Sequence, residues 1–239
     1  VGAANNHSPV WPASDDPADQ DAAAGYDALW NRLFADPMLL GSFPERLADR
    51  LSGFDRLSGF ADDLPTIKQP LDFYGMNYYN PIRIGAGGSE PRPDTPDSWL
   101  GSRRVPITGY PQTDFGWPVI PAGLTEVLSQ LAERYPGLPP VIITENGCSY
   151  LDGPGPDGRV RDQRRISYLD EHLRALQQAI DDGVPVAGYC CWSILDNFEW
   201  AEGYQQRFGL VHVNYDSLVR TPKDSYAWYA EVIRQNRPA

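Results

Sequence analysis

The chain has 239 residues, a formal net charge of −12, an apolar fraction of 41% and 12% aromatics. That balance suits a soluble globular domain with a sizeable core and excludes a disordered tail. Three cysteines make no disulfide framework, no apolar run approaches the ~20 residues of a membrane span, and an acidic chain with two lysines does not suit nucleic acid.

Val1 to Asn6 reads as a short strand. Val1 is not an initiator methionine, and the chain opens as if inside an element. A helix fits Tyr26 to Phe34 through Leu29, Trp30 and Leu33. Leu71 to Tyr79, after Pro70, reads as a second strand. The stretch from Gly85 to Pro118 is 34 residues with six glycines and six prolines, a length usual for functional loops. A helix follows over Ala122 to Tyr135, with Leu124, Val127, Leu128, Leu131 and Tyr135 in register. Val141 to Thr144 is a third strand. The clearest helix runs from Gln163 to Asp182. Ile166, Leu169, Leu173, Leu176 and Ile180 form its face, Asp162 is placed to cap its start, and Gly183 with Pro185 marks its stop. Val186 to Trp192 is a fourth strand. Asn197 to Thr221 is a second long connection, and a last helix is expected after a Thr221 cap and Pro222, carrying Tyr226, Tyr229 and Ile233. The strands are continuously apolar, as in parallel sheets covered on both faces. Strand and helix alternate four times, which is the α/β signature.

Polar and aromatic groups gather where these strands stop. Glu145 ends the third, just before the Asn146-Gly147 turn. A Glu on a rigid strand end suits a nucleophile or general base; pairing with an arginine or capping the turn are the alternatives. Trp192-Ser-Ile-Leu-Asp-Asn-Phe-Glu199-Trp200 crowds aromatic rings and acids at the fourth strand end. Sugars offer hydroxyls to carboxylates and C–H faces to aromatic rings, so this rim suits a carbohydrate, against core packing of Trp192 and surface placement of Glu199. Asn77, Tyr78 and Tyr79 stand at the second strand end and Asn6 at the first.

Other residues draw plainer readings. His7, His172 and His212 show no metal-ligand spacing, and His172 is expected on a solvated helix face. Cys190 and Cys191 are adjacent in a strand, so they point to opposite faces and read as buried thiols. Cys148 is a weak candidate for oxidation. Asn6-His7-Ser8 fits a glycosylation sequon, but its strand-end place favours a site residue. Gly85-Ala-Gly-Gly88 follows no phosphate-loop pattern.

Thr144-Glu-Asn-Gly147, Asn77-Tyr-Tyr79 and Trp192-Ser-Ile-Leu-Asp-Asn-Phe-Glu-Trp200 resemble the motifs of glycoside hydrolase family 1. Arg207-Phe-Gly-Leu210 and Arg220-Thr-Pro-Lys223 are similar to its closing segment. These are retaining β-glycosidases, chiefly β-glucosidases, on a (β/α)8 TIM barrel. By this resemblance Glu145 is the nucleophile and Tyr79 the hydroxyl that holds it, with Asn77 beside them. Glu199 and Trp200 bind the outer hydroxyls of the glycone, Trp192 is the floor under the sugar, and Phe208 lines the same pocket. Asn6 lies near the site and Trp117 near the aglycone entrance. No metal or organic cofactor is implied.

The family's acid/base Glu lies in an Asn-Glu-Pro motif that this sequence lacks. The resemblance therefore implies an α/β half-barrel, strands five to eight with their helices and long βα loops, with residues 1–239 an incomplete catalytic domain. Two strand edges and an inner face would be left open, so good folding is expected only with a complementary N-terminal half, as a separate chain or as part of the same polypeptide, or with a second copy. The expected substrate is a β-glucoside or oligosaccharide, with no nucleic-acid or membrane partner and a cytoplasmic location. The rivals are a non-catalytic carbohydrate-binding or self-associating half-barrel module and a dissected half-barrel.

Overall fold

A computed structural model describes residues 1–47, 60–87 and 100–236. Part of the long Gly85–Pro118 connection, residues 88–99, lies outside the described residues. In chain order the first elements are β1 (Gly2–Asn6), β2 (Val10–Pro12), α1 (Pro17–Asp27), a π turn (Ala28–Arg32), α2 (Leu33–Leu39) and α3 (Phe60–Ile67). Next come β3 (Phe73–Asn77), β4 (Ile82–Ala86), β5 (Ser102–Arg104), α4 (Ala122–Arg134), β6 (Val141–Asn146) and α5 (Gln163–Asp181). The last are β7 (Val186–Cys191), a 3-10 turn (Trp200–Glu202), β8 (Val211–Val213), β9 (Arg220–Pro222) and α6 (Asp224–Gln235).

The four expected strands pair in one parallel sheet, in the order β1-β3-β6-β7. Parallel neighbours need crossovers, and helices supply them. Tyr74, Met76, Val141 and Ile143 point from the sheet into the helix layer and are fully buried against Leu124, Leu128, Leu131 and Leu176. The other face is less covered: Ala4, Asn6 and Cys190 are exposed and Ile142 is half-buried. Among the described residues, β1 and β7 are the outer strands, each with one side unpaired within this sheet. This is an arc of a (β/α)8 barrel. A three-stranded sheet, β2-β4-β5, stands beside it against α1, and β8 and β9 form a hairpin.

Several local expectations change. The early helix is longer than Tyr26–Phe34 and interrupted: Asp16 caps it through the Ala18 N–H at 2.8 Å, Pro17 opens it, and a π turn divides it. Cap chemistry sets that start, whereas the apolar spacing reported only the middle. Thr221 and Pro222 lie in β9, and the last helix starts at Asp224 without a side-chain cap. Its buried residues are Ser225 and Val232, while Tyr226 and Ile233 are exposed, because Ser225 is drawn inward to Asp162. On α5 the buried stripe is Arg165, Tyr168, Leu169, His172, Leu173, Leu176 and Ala179, with Ile180 exposed. This helix packs its first turns on a polar centre and its later turns on the sheet, which rotates the stripe. His172 is therefore fully buried, stacked on Tyr168 at 3.9 Å, with burial lowering its imidazole to about 4. Asp162 makes no cap hydrogen bond; its carboxylate is taken by Arg165 and Ser225. Cys190 is exposed on the open face of β7 rather than buried. Cys148 is buried, and burial pushes its thiol up to about 12, which disfavours the oxidation-prone thiolate. No helix among the described residues is long and apolar enough to cross a membrane.

Candidate active site

In a parallel sheet all strands end on the same side, so their last residues form a row. Here Asn6 is in register with Asn77, Asn77 with Glu145, and Asn146 with Cys191 just before Trp192. This row opens into a cleft of about 580 Å³. All nine residues singled out in the sequence line it: Asn6, Asn77, Tyr79, Trp117, Glu145, Trp192, Glu199, Trp200 and Phe208. His7, Ser8, Trp30, Asn80, Ile82 and Arg104 also line it. His7, Ser8 and Asn80 directly follow the strand-end residues Asn6 and Tyr79, whereas Ile82 and Arg104 reach the cleft from the small sheet and Trp30 from the helical segment after β2, by tertiary packing. Ser8 and Asn31 exchange hydrogen bonds at 3.0 and 2.8 Å, which fixes that segment to the strand end.

The Tyr79 hydroxyl donates to Glu145 Oε2 at 2.7 Å. Burial raises the Tyr79 phenol far above its ordinary range, and the Glu145 carboxylate adds to the effect. The phenol therefore stays protonated and acts as a donor. Its ring packs against Trp117 at 5.1 Å and Phe208 at 6.4 Å, and Trp117 meets Phe115 edge-on at 4.4 Å. Beside it, the Thr144 hydroxyl donates to Asn77 Oδ1 at 2.6 Å. The cleft thus pairs two carboxylates, Glu145 and Glu199, with aromatic walls, a combination suited to polyhydroxylated rings.

The strand end under Glu145 is anchored from several sides. The buried Asn146 amide donates to the Tyr78 carbonyl at 2.9 Å and to the Tyr168 hydroxyl at 3.1 Å, and accepts from Tyr189 at 2.7 Å. Gly147 follows where a Cβ would strike the Trp192 carbonyl, so the two strand ends touch through backbone. The fully buried Arg165 pairs with Asp162 at 2.9 Å and donates to the carbonyls of Cys148, Tyr150, Arg207 and Phe208. It ties the loop after β6 to the segment that carries Phe208. An arginine in helical register with Tyr168, Leu169 and Leu176 was the available signal, and a search for apolar periodicity passes over it.

The segment after β7 is held in the same way. The Ser193 hydroxyl donates to the Leu195 carbonyl at 2.8 Å, and the Asn197 amide donates to Glu199 Oε2 at 3.2 Å. Trp192 is half-buried at the base of the cleft, Phe208 is buried, and Trp200 is 83% exposed at the rim. Lys223 is buried beside Asp196, and burial pulls its ammonium down to about 8.

The Glycosyl hydrolase family 1 profile matches residues 1–238. The chain belongs to this family. It is 40% identical over 238 residues to Beta-glucosidase A of Acetivibrio thermocellus, covering 99% of this chain and 51% of that protein. With the Beta-glucosidase of an Agrobacterium species it shares 43% identity over 227 residues, 95% of this chain and 47% of the other. Among solved structures, a psychrophilic beta-glucosidase from Micrococcus antarcticus superposes with a TM-score of 0.88 at 41% identity, covering 99% of this chain and 53% of that one. The family 1 β-glucosidase of Thermotoga maritima gives 0.87 at 37%, covering 99% and 51%. The chain spans about half the length of the curated relatives it matches.

Proposed function

We propose that residues 1–239 form the nucleophile-bearing half of a retaining β-glucosidase. The observation that carries this reading is the 2.7 Å hydrogen bond from Tyr79 to Glu145 at a strand end inside the aromatic cleft. In this mechanism Glu145 attacks the anomeric carbon, the glycosidic C–O bond breaks, and a covalent glycosyl-enzyme forms. Tyr79 holds the attacking carboxylate by Oε2, leaving Oε1 for the sugar. Trp192 lies under the sugar ring, while Glu199 and Trp200 take its outer hydroxyls and Asn6 and Asn77 complete the polar lining. Phe208 and Trp117 wall the site, Trp117 on the leaving-group side. These contacts hold the anomeric carbon in line with Glu145, so part of the barrier is met by positioning.

The leaving oxygen needs a proton, and water must later be activated, so a second carboxyl is required about 5–5.5 Å from the first. In this reading it comes from a complementary half-barrel outside residues 1–239. Supporting this are the absence of an Asn-Glu-Pro motif, the outer sides of β1 and β7 left unpaired among the described residues, and the half-length match to relatives named as β-glucosidases. An aryl β-glucoside with a good leaving group needs little acid help, so it tests Glu145 directly. The chain supplied with the N-terminal half should hydrolyse it and Glu145→Gln should abolish turnover. Full activity of that variant would refute the assignment, and glucose binding without hydrolysis by the assembled protein would favour a non-catalytic module.

A further inference from the structure

Asp196, midway between the strand-end Trp192 and Trp200, has 0% of its side chain exposed. Both its oxygens are saturated. Oδ1 accepts from the Gly209 N–H at 3.0 Å and Lys223 Nζ at 3.2 Å. Oδ2 accepts from Arg207 Nη1 at 3.1 Å and the Val213 N–H at 3.2 Å. A carboxylate offers about four acceptor positions, so nothing is left over for solvent or substrate.

Two routes lead from this carboxylate to the cleft. The first runs through Phe208, whose two chain neighbours, Arg207 and Gly209, both donate to Asp196. Gly209 lies so close that a Cβ would enter the backbone of Leu195 and Asp196. Phe208 is therefore bracketed, with its ring against Trp117 at 6.0 Å, Phe115 at 6.1 Å and Tyr79 at 6.4 Å. The second route runs through the Arg207 guanidinium, 4.3 Å over the Tyr215 ring. The Tyr215 hydroxyl donates to the Asn197 carbonyl at 3.2 Å, and the Asn197 amide donates to Glu199 Oε2 at 3.2 Å. Each link in this chain is a hydrogen bond or a cation–π contact.

We propose that Asp196 is a positioning residue for the sugar side of the cleft, orienting Glu199 through Arg207, Tyr215 and Asn197, and Phe208 through Arg207 and Gly209. This rests on the glycosidase reading, in which Glu199 meets the outer hydroxyls of the sugar. Asp196 touches no substrate; it acts through residues that do. Buried ion groups of this kind can often be replaced by apolar packing without loss of stability, so retaining one here is consistent with a demand for geometry.

The test compares an aryl β-glucoside with the matching aryl β-xyloside, which lacks the hydroxymethyl arm, using the chain assembled with its N-terminal half. Active enzyme is counted by burst titration. In Asp196→Asn an amide NH₂ faces donors, so the network must rearrange. The glucoside kcat/KM should fall at least tenfold while the xyloside value stays within threefold, so selectivity collapses. A merely structural role would lower both equally. Tyr215→Phe removes only the link to Asn197 and leaves the ion group intact. It should cost about fivefold in the glucoside-to-xyloside ratio, and it decides the matter if Asp196→Asn does not fold. Parent-like ratios in Tyr215→Phe and in any folded Asp196→Asn would overturn the proposal. A parent assembly that hydrolyses neither substrate would overturn the glycosidase reading and this proposal with it.

Discussion

Replacing Tyr79 with Phe removes a single oxygen from the cleft. The ring remains, held by Trp117 and Phe208, so packing changes little. What is lost is the donor to Glu145 Oε2 at 2.7 Å. A hydrogen bond to a charged group contributes about 1.5–3 kcal/mol, which corresponds to about a 10- to 150-fold change in rate if it acts fully in the transition state. The phenol is protonated throughout the working range, so no part of the effect comes from its titration. On the proposed reading, the assay is kcat/KM on an aryl β-glucoside with a good leaving group, using the chain assembled with a complementary N-terminal half. Thermal denaturation of the same sample serves as control. The expected outcome is a kcat/KM loss in that range with Tm nearly unchanged. A loss below threefold would refute the reasoning, because the hydroxyl would then not be orienting the carboxylate proposed to attack. A loss accompanied by a large drop in Tm would point to packing instead.

Three further outcomes follow from the buried groups. Burial holds His172 and His7 at about 4 against an ordinary 6.5, so between those values the unfolded chain binds more protons than the folded one. Stability should be fully present above about pH 6.5 and fall by up to ~3 kcal/mol per histidine as pH drops to 4. His172→Leu should reduce the acid slope of the urea midpoint by one histidine's share; an unchanged slope would show that His172 is not buried neutral. Arg165→Met leaves Asp162 as a buried carboxylate without its partner and five carbonyl or carboxylate contacts unmade, and should cost about 3–5 kcal/mol in urea denaturation. Gly209→Ala drives a Cβ into the backbone of Leu195 and Asp196 and should lower stability by about 1–3 kcal/mol, read as a fall in Tm; a parent-like Tm would show that the segment can relax.

The parallel sheet was legible in the sequence because its strands are short apolar runs separated by helical periodicity, although only the face toward the helices is fully covered within the described residues. The row of strand-end residues was legible for a related reason. Once strands are parallel and each stops at a known residue, Asn6, Asn77, Glu145 and Trp192 must lie on one side. The motif around Glu145 and the one ending at Trp200 carried chemistry that single residues could not. The helix faces were read less well. On α5 and α6 the apolar spacing marked Ile180 and Ile233 as inward, yet both are exposed.

What only the tertiary structure decided is how the polar interior is arranged. Arg165, Asp162, His172, Asp196 and Lys223 are charged or titratable residues that a hydropathy pattern places at the surface, and each is buried. Their partners are backbone groups and side chains up to 63 positions away, and no local spacing encodes such pairings. The same holds for Trp30 and Arg104, which join the cleft from a helical segment and a second sheet. Local sequence determines which elements form, because propensity and periodicity act over a few residues. Which polar groups are buried together depends on the packed elements, because the desolvation cost of a charge is met only when distant donors and acceptors converge on it.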